Sequence, residues 1–228
     1  METRQVFLSG GTGYAGHALI TKLIEHGHRP RVLARAGSEH KVPAGAETVP
    51  GNPLDPTTFA AAVTAADTFV QLTGVAHPAP WKEPAFRAID LVSLKASAQV
   101  AQSAGVSHFV YVSVAQPAPV MKAYIRVRQE GEATLKTLGL TATILRPWYI
   151  LGPGHRWPAA LAPVYALLEA IPATRDSALR LGLVTLDQMA AALLWAVENP
   201  PTESRILDVP AIRAISSLMQ SGLDSERF

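Results

Sequence analysis

A cluster of glycines stands directly behind the first strand-like stretch of this chain: Gln5 to Ser9 runs into Gly10-Gly11-Thr12-Gly13-Tyr14-Ala15-Gly16, and a helical pattern follows. The spacing Gly-x-x-Gly-x-x-Gly, set between a strand and a helix, is a strong constraint because each glycine answers a separate steric demand. Gly10 permits a tight turn, Gly13 lets backbone approach a bound diphosphate, and Gly16 allows the helix to pack closely on the strand. The start of the helix then offers unsatisfied N–H groups and a partial positive charge to an anion. A glycine turn that serves structure alone is the competing explanation. The coincidence of strand, motif and helix favours a seat for a dinucleotide.

The rest of the chain repeats the same alternation. Short β-branched or apolar runs occur at Gln5 to Ser9, Arg31 to Arg35, Glu47 to Val49, Thr68 to Thr73, His108 to Ser113 and Thr141 to Arg146. Helical apolar spacing fills the intervals Ala15 to His26, Pro56 to Thr64, Pro84 to Ala104 and Met121 to Leu138. Such alternation implies an α/β fold with a parallel sheet. Right-handed crossovers then predict a doubly wound Rossmann sheet of order 3-2-1-4-5-6, with a ligand crevice at the carboxyl ends of the strands where the order reverses. Beyond Arg146 the pattern loosens, with helical stretches at Ala159 to Ala170 and Leu186 to Glu198, a short strand at Arg205 to Val209 and a weak final helix. This segment, from about 150 to 228, is too short for a separate domain, so one domain over 1–228 with a small C-terminal cap is expected.

Composition narrows the function classes. The chain has no cysteine, which excludes disulfide frameworks, thiolate nucleophiles and cysteine-ligated zinc. Its formal charge is only +2 and its basic residues are scattered, which gives no support to a nucleic-acid groove. No apolar run reaches membrane-spanning length, and no basic segment with an apolar stretch precedes Gln5, so a cytoplasmic protein without membrane contact is expected. His77 and His155 are lone histidines without metal-ligand spacing, and no metal is assigned.

About twenty residues beyond the glycines, the end of the second strand should meet the adenosine ribose. Arg35 stands there, where an acidic residue would bind a free 2′-hydroxyl and an arginine can bind a 2′-phosphate. NADP(H) is therefore the preferred dinucleotide. NAD(H) stays open, since Glu39 in the following loop can reach a ribose diol.

Four features together resemble the short-chain dehydrogenase/reductase superfamily, in its extended and atypical, NmrA-like branch. They are the glycine turn, Gly51-Asn52 after the third strand, Phe109-Val110-Tyr111-Val112-Ser113 as the fifth, and Leu145-Arg146-Pro147 ending the sixth. The resemblance spans about positions 5 to 155, and Val184 to Ala190 is similar to the start of a late helix of the family. It implies that Asn52, where relatives usually carry Asp, lies beside the adenine, and that Thr73 and Gly74 line the cofactor. Thr12, Tyr14 and Pro147 join that cofactor-lining set. It further implies hydride transfer assisted by a serine, a tyrosine and a lysine four residues later, which match Ser113, Tyr124 and Arg128. Four-residue spacing puts Tyr124 and Arg128 on one helix face. Arginine keeps the charge that steadies a phenolate, but it is a planar fork and cannot relay a proton.

Trp148, Tyr149 and His155 follow the sixth strand on the substrate side, as does Trp157. They form either an aromatic substrate pocket or packing beneath the cap. The expected activity is an NADP(H)-dependent oxidoreductase acting on a small carbonyl, quinone or enone, as a monomer or homodimer. Two alternatives stay open. Arg128 at the lysine position suits a non-catalytic dinucleotide-binding regulator or complex subunit, and extended relatives include nucleotide-sugar epimerases and dehydratases.

Overall fold

The computed structural model describes residues 2–153, 167–168 and 171–225. Among the described residues there are nine strands, and the first six with the helices between them follow the expected alternation. The strands are β1 (Gln5–Ser9), β2 (Arg29–Ala34), β3 (Glu47–Pro50), β4 (Thr68–Gln71), β5 (His108–Val112), β6 (Ala142–Leu145), β7 (Tyr149–Leu151), β8 (Leu183–Thr185) and β9 (Arg205–Leu207). The helices used below are α1 (Tyr14–Glu25), α2 (Ala60–Val63), α3 (Val92–Ser103), α4 (Lys122–Thr137), α5 (Pro172–Arg180), α6 (Leu186–Glu198) and α7 (Val209–Ser225).

Seven strands form one parallel sheet in the order β3-β2-β1-β4-β5-β6-β9. The order reverses between β1 and β4, which opens a crevice beyond their carboxyl ends. Residues alternate between two buried faces, as a sheet covered on both sides requires. On one face Val6, Leu8, Val32, Val70, Val110 and Leu145 pack under Leu19, Ile20 and Leu23 of α1 and Met189, Leu193 and Val197 of α6. On the other, Phe7, Phe69 and Phe109 stand in register on β1, β4 and β5 beneath Leu94, Ala98 and Ala101 of α3. Their ring centroids lie 5.1 and 5.2 Å apart, so one aromatic ladder ties the two halves of the sheet across the reversal.

Several expectations need correction. The C-terminal segment is more than a cap: β9 pairs with β6 and extends the sheet to a seventh parallel strand. β7 and β8 form a separate two-stranded parallel sheet, and α5 is an additional helix, none of which was expected. Most of the helix expected at 159–170 lies outside the described residues. Pro56 to Thr64 is a 3₁₀ turn, Pro56–Thr58, followed by the short α2. The helix expected over 84–104 contains a π-helical stretch, Phe86–Leu91, before α3. By contrast α6 runs over the expected residues, and Thr185 and Gln188 close its start with reciprocal hydrogen bonds of 3.1 and 2.9 Å. Among the described residues no helix is long and apolar enough to cross a membrane.

Candidate active site

The glycine turn is built as its spacing requires. Gly10 has φ +86°, and a Cβ there would lie 2.5 Å from the backbone nitrogen of Thr73. The turn from β1 thus presses against the end of β4, where Leu72 N–H donates to Ser9 carbonyl at 2.8 Å and the Ser9 and Thr73 hydroxyls meet at 2.7 Å. At Gly16 a Cβ would come 2.5 Å from Gly10 carbonyl oxygen and 2.6 Å from Gly11 Cα, so α1 sits directly on the turn. The α1 N-terminus has Gly13 as its cap, with no side-chain hydrogen bond and no acidic residue in the first turn. Its partial positive charge is therefore left for an anion from outside the chain.

A cavity of about 390 Å³ opens over this turn, lined by Gly10, Thr12, Gly13, Arg35, Asn52, Thr73 and Gly74 among others. Seven of the expected cofactor residues therefore meet in one place, drawn from the ends of β1, β2, β3 and β4. Gly16 serves packing beneath them. Arg35 also borders a more open recess with Ser38, Glu39 and Asn52. The Arg35 side chain is exposed, and its guanidinium has no hydrogen bond or ion pair among the described residues. Asn52 Oδ1 accepts from Leu54 N–H at 3.1 Å, and its own backbone N–H donates to Thr58 Oγ1 at 2.9 Å, which fixes the loop beside β3.

The remaining expected residues, Tyr14 and Pro147, line a second cavity of about 340 Å³ together with Ser113, Tyr124, Trp148 and Tyr149. Its walls also include His77, Pro78, Val112, Val114 and Ile150, a largely apolar surface. The Trp148 and Tyr149 rings meet edge to face at 5.7 Å. His155 and Trp157 lie outside the described residues.

Tyr124 and Arg128, one turn apart on α4, do meet: Arg128 Nη2 donates to Tyr124 Oη at 2.8 Å. The guanidinium is buried and held from several sides. Nη2 also donates to Asp90 Oδ1 at 2.5 Å, while Nη1 donates to Val112 carbonyl at 3.1 Å and to Tyr111 Oη at 3.3 Å. Arg128 Nε has no partner among the described residues. Asp90 in turn accepts Val75 N–H at 2.9 Å on its other oxygen, which ties the loop after Gly74 to the same ion pair. A Cβ on Gly74 would stand 2.7 Å from Arg128 Nη2, so the pair lies directly under the backbone that lines the first cavity.

Burial pushes the Tyr124 phenol above its ordinary value of 10.0, and the Asp90 carboxylate adds to the lift against the nearby Arg128 charge. Tyr111 is pushed up to about 12, mainly by burial. Burial also raises the Asp90 carboxyl, with Arg128 opposing. For Arg128 burial works against the charge but is outweighed by Tyr111, Tyr124 and Asp90, which hold the guanidinium protonated.

Ser113 is placed differently from expectation. Its hydroxyl donates to Glu132 Oε1 at 2.6 Å rather than standing free to orient a carbonyl. Sequence reasoning passed over both acidic partners, Asp90 and Glu132. A signal existed for Asp90: with Leu94, Ser97 and Ala101 it falls on the buried face of the 86–103 helical run, where an acidic residue needs a partner. Glu132 carried no such signal, since its partners Ser113, Gln116 and Arg146 come from other elements.

A parallel sheet whose order reverses at β1 and β4, with a glycine turn and an uncapped helix start in the resulting crevice, defines a dinucleotide-binding α/β protein. The chain belongs to the NAD(P)H-binding family, whose model matches residues 10–156. A ceramide reductase from Caulobacter vibrioides (strain NA1000 / CB15N) is 25% identical over 197 residues, covering 86% of this chain. The chain spans 61% of the length of that curated relative. The Bordetella bronchiseptica enzyme WbmH, solved in complex with NAD+, superposes with a TM-score of 0.69 at 16% identity, covering 98% of this chain and 82% of that one. A UDP-glucose 4-epimerase from Thermotoga maritima, solved with UDP-glucose, gives 0.65 at 16% identity over 95% and 82%. Both structures share the fold.

Proposed function

We propose that this protein is an NADP(H)-dependent reductase of a carbonyl compound with an apolar body. The observation that carries the reading is the meeting of Tyr124, its Arg128 partner and an aromatic cavity at the edge of the glycine-turn crevice. The residues present fit a dinucleotide: the uncapped α1 start can receive a diphosphate, Thr73 and Gly74 can border its nicotinamide end, and the exposed Arg35 can hold a 2′-phosphate. When bound, the dinucleotide supplies the hydride. Tyr124 supplies the proton: its oxygen accepts from the donor-only Arg128, so its own hydrogen is free to be directed at a substrate oxygen. Arg128 then stabilises the phenolate left behind. Trp148, Tyr149 and Val114 exclude water and favour an apolar substrate flank. The curated relative's name, a ceramide reductase, supports a long-chain carbonyl as the substrate class to try first.

One observation favours a second reading, a dinucleotide-binding protein without turnover. All four Nη hydrogens of Arg128 and the hydroxyl hydrogen of Ser113 are already committed within the protein. Titration with NADPH and NADH by fluorescence, followed by NADPH oxidation against a carbonyl panel that includes long-chain ketones, separates the two. Turnover above background supports the reductase. Tight NADPH binding with no turnover across the panel supports the second reading, and no affinity for either dinucleotide overturns both.

A further inference from the structure

The direction of the hydrogen bonds around the second cavity narrows the substrate class. Glu132 Oε1 accepts three donors: Ser113 Oγ at 2.6 Å, Gln116 Nε2 at 2.9 Å and Arg146 Nε at 3.0 Å. Its other oxygen is held by Arg146 Nη2. A carboxylate paired with a guanidinium accepts hydrogen bonds and has none to give, so the proton between Ser113 and Glu132 belongs to the serine. The remaining capacity of Ser113 Oγ is as an acceptor. Tyr124 has the opposite polarity, since Arg128 donates to its oxygen and its own hydrogen is left to give.

We propose that this cavity is built for a carbonyl compound that also carries a hydroxyl or amide N–H beside the carbonyl, with Tyr124 donating to the carbonyl oxygen and Ser113 accepting from the neighbouring donor. The inference rests on the assignment of this cavity to the substrate. A lone carbonyl oxygen satisfies Tyr124 and leaves Ser113 facing no donor, which is costly in a site shielded from water. A hydroxyketone satisfies both. Glu132 acts here as a positioning residue: it touches neither substrate nor cofactor and works by fixing which way Ser113 points its hydrogen.

The test compares two ligands that differ by one hydroxyl, 2-hydroxy-3-octanone and 3-octanone, binding to the NADP+-saturated protein in a calorimeter. The hydroxyketone is expected to bind about tenfold tighter or more. Ser113→Ala should bring that ratio close to one. Glu132→Gln supplies a donor where only an acceptor stood, so Ser113 can turn its hydrogen into the cavity and the ratio should fall or invert. A merely structural role for Glu132 would weaken both ligands together, leaving the ratio unmoved. Equal affinities in the unmodified protein, no measurable binding of either ligand, or a ratio unaffected by Ser113→Ala overturns the proposal. NADPH oxidation with the same two compounds is run alongside: a hydroxyketone preference in binding without turnover upholds this inference while removing the reductase reading.

Discussion

Tyr124 is the residue on which the proposed chemistry turns, and its surroundings decide which half of such a reaction it can serve. Burial first, and Asp90 second, raise the phenol above 10.0, so it stays protonated across neutral pH. A proton donor is therefore present throughout that range, whereas a phenolate base is scarce. Carbonyl reduction should show no loss of rate from this group between about pH 6 and 9, and the reverse alcohol oxidation should climb with pH without levelling off below pH 10.0. Tyr124→Phe should lower kcat/KM for reduction by about 100-fold or more, and unaltered turnover in that variant would remove the residue from the mechanism. Beside it, the Asp90 and Arg128 side chains are 0% and 7% exposed and depend on each other for compensation. Asp90→Leu or Arg128→Met alone leaves a buried charge and should cost about 3–5 kcal/mol in urea unfolding. The double variant should recover most of that loss, and additive losses would mean that the pair is not coupled.

At the scale of elements, what could be read from the chain was what repeats for long enough to have a period. β1, the turn and α1 were legible because three glycines and an apolar stripe of about three turns coincide, and α6 because Leu186–Glu198 carries an almost unbroken apolar face behind Thr185. β7 and β8 were not legible, since three residues hold little more than one alternation. α5 was hidden for a different reason. Its sequence PATRDSALR shows almost no apolar stripe, and its start relies on Pro172 in the first turn. The π-helical stretch before α3 was hidden because one extra residue per turn changes the phase without changing composition. The candidate site divided in the same way. Motif-borne residues such as Gly10, Thr73 and Tyr124 could be named from the chain and line the two cavities, whereas Asp90 and Glu132 act through partners that the fold brings in from 38 and 19 residues away. A prediction belongs to α6, whose capping box closes the helix most deeply set in the first core. Thr185→Ala should cost about 1 kcal/mol, read as a fall in Tm of about 2–4 °C. An unchanged Tm would show that water serves the freed N–H as well as the hydroxyl does.

The whole molecule comes together at the crevice, because the ends of β1, β2, β3 and β4 all contribute to one cavity and their strands share one sheet. A ligand seated there binds only the folded arrangement, so its affinity appears as global stability rather than as a local change. At 100 times its Kd, NADPH should add about 2.7 kcal/mol, a rise in Tm of roughly 5–10 °C for a chain of this size. NADH at the same concentration should raise it less, because it has no 2′-phosphate for Arg35 to hold. Arg35 is exposed, so the advantage of NADPH should shrink as salt is raised from about 0.05 to 0.5 M, while the part of the shift common to both dinucleotides persists. Arg35→Ala should erase the difference between the two and leave the common shift in place. If NADPH and NADH stabilise the unmodified protein equally at low salt, the guanidinium at the end of β2 does not choose the dinucleotide, and Glu39 in the adjoining recess becomes the residue to test against a ribose diol.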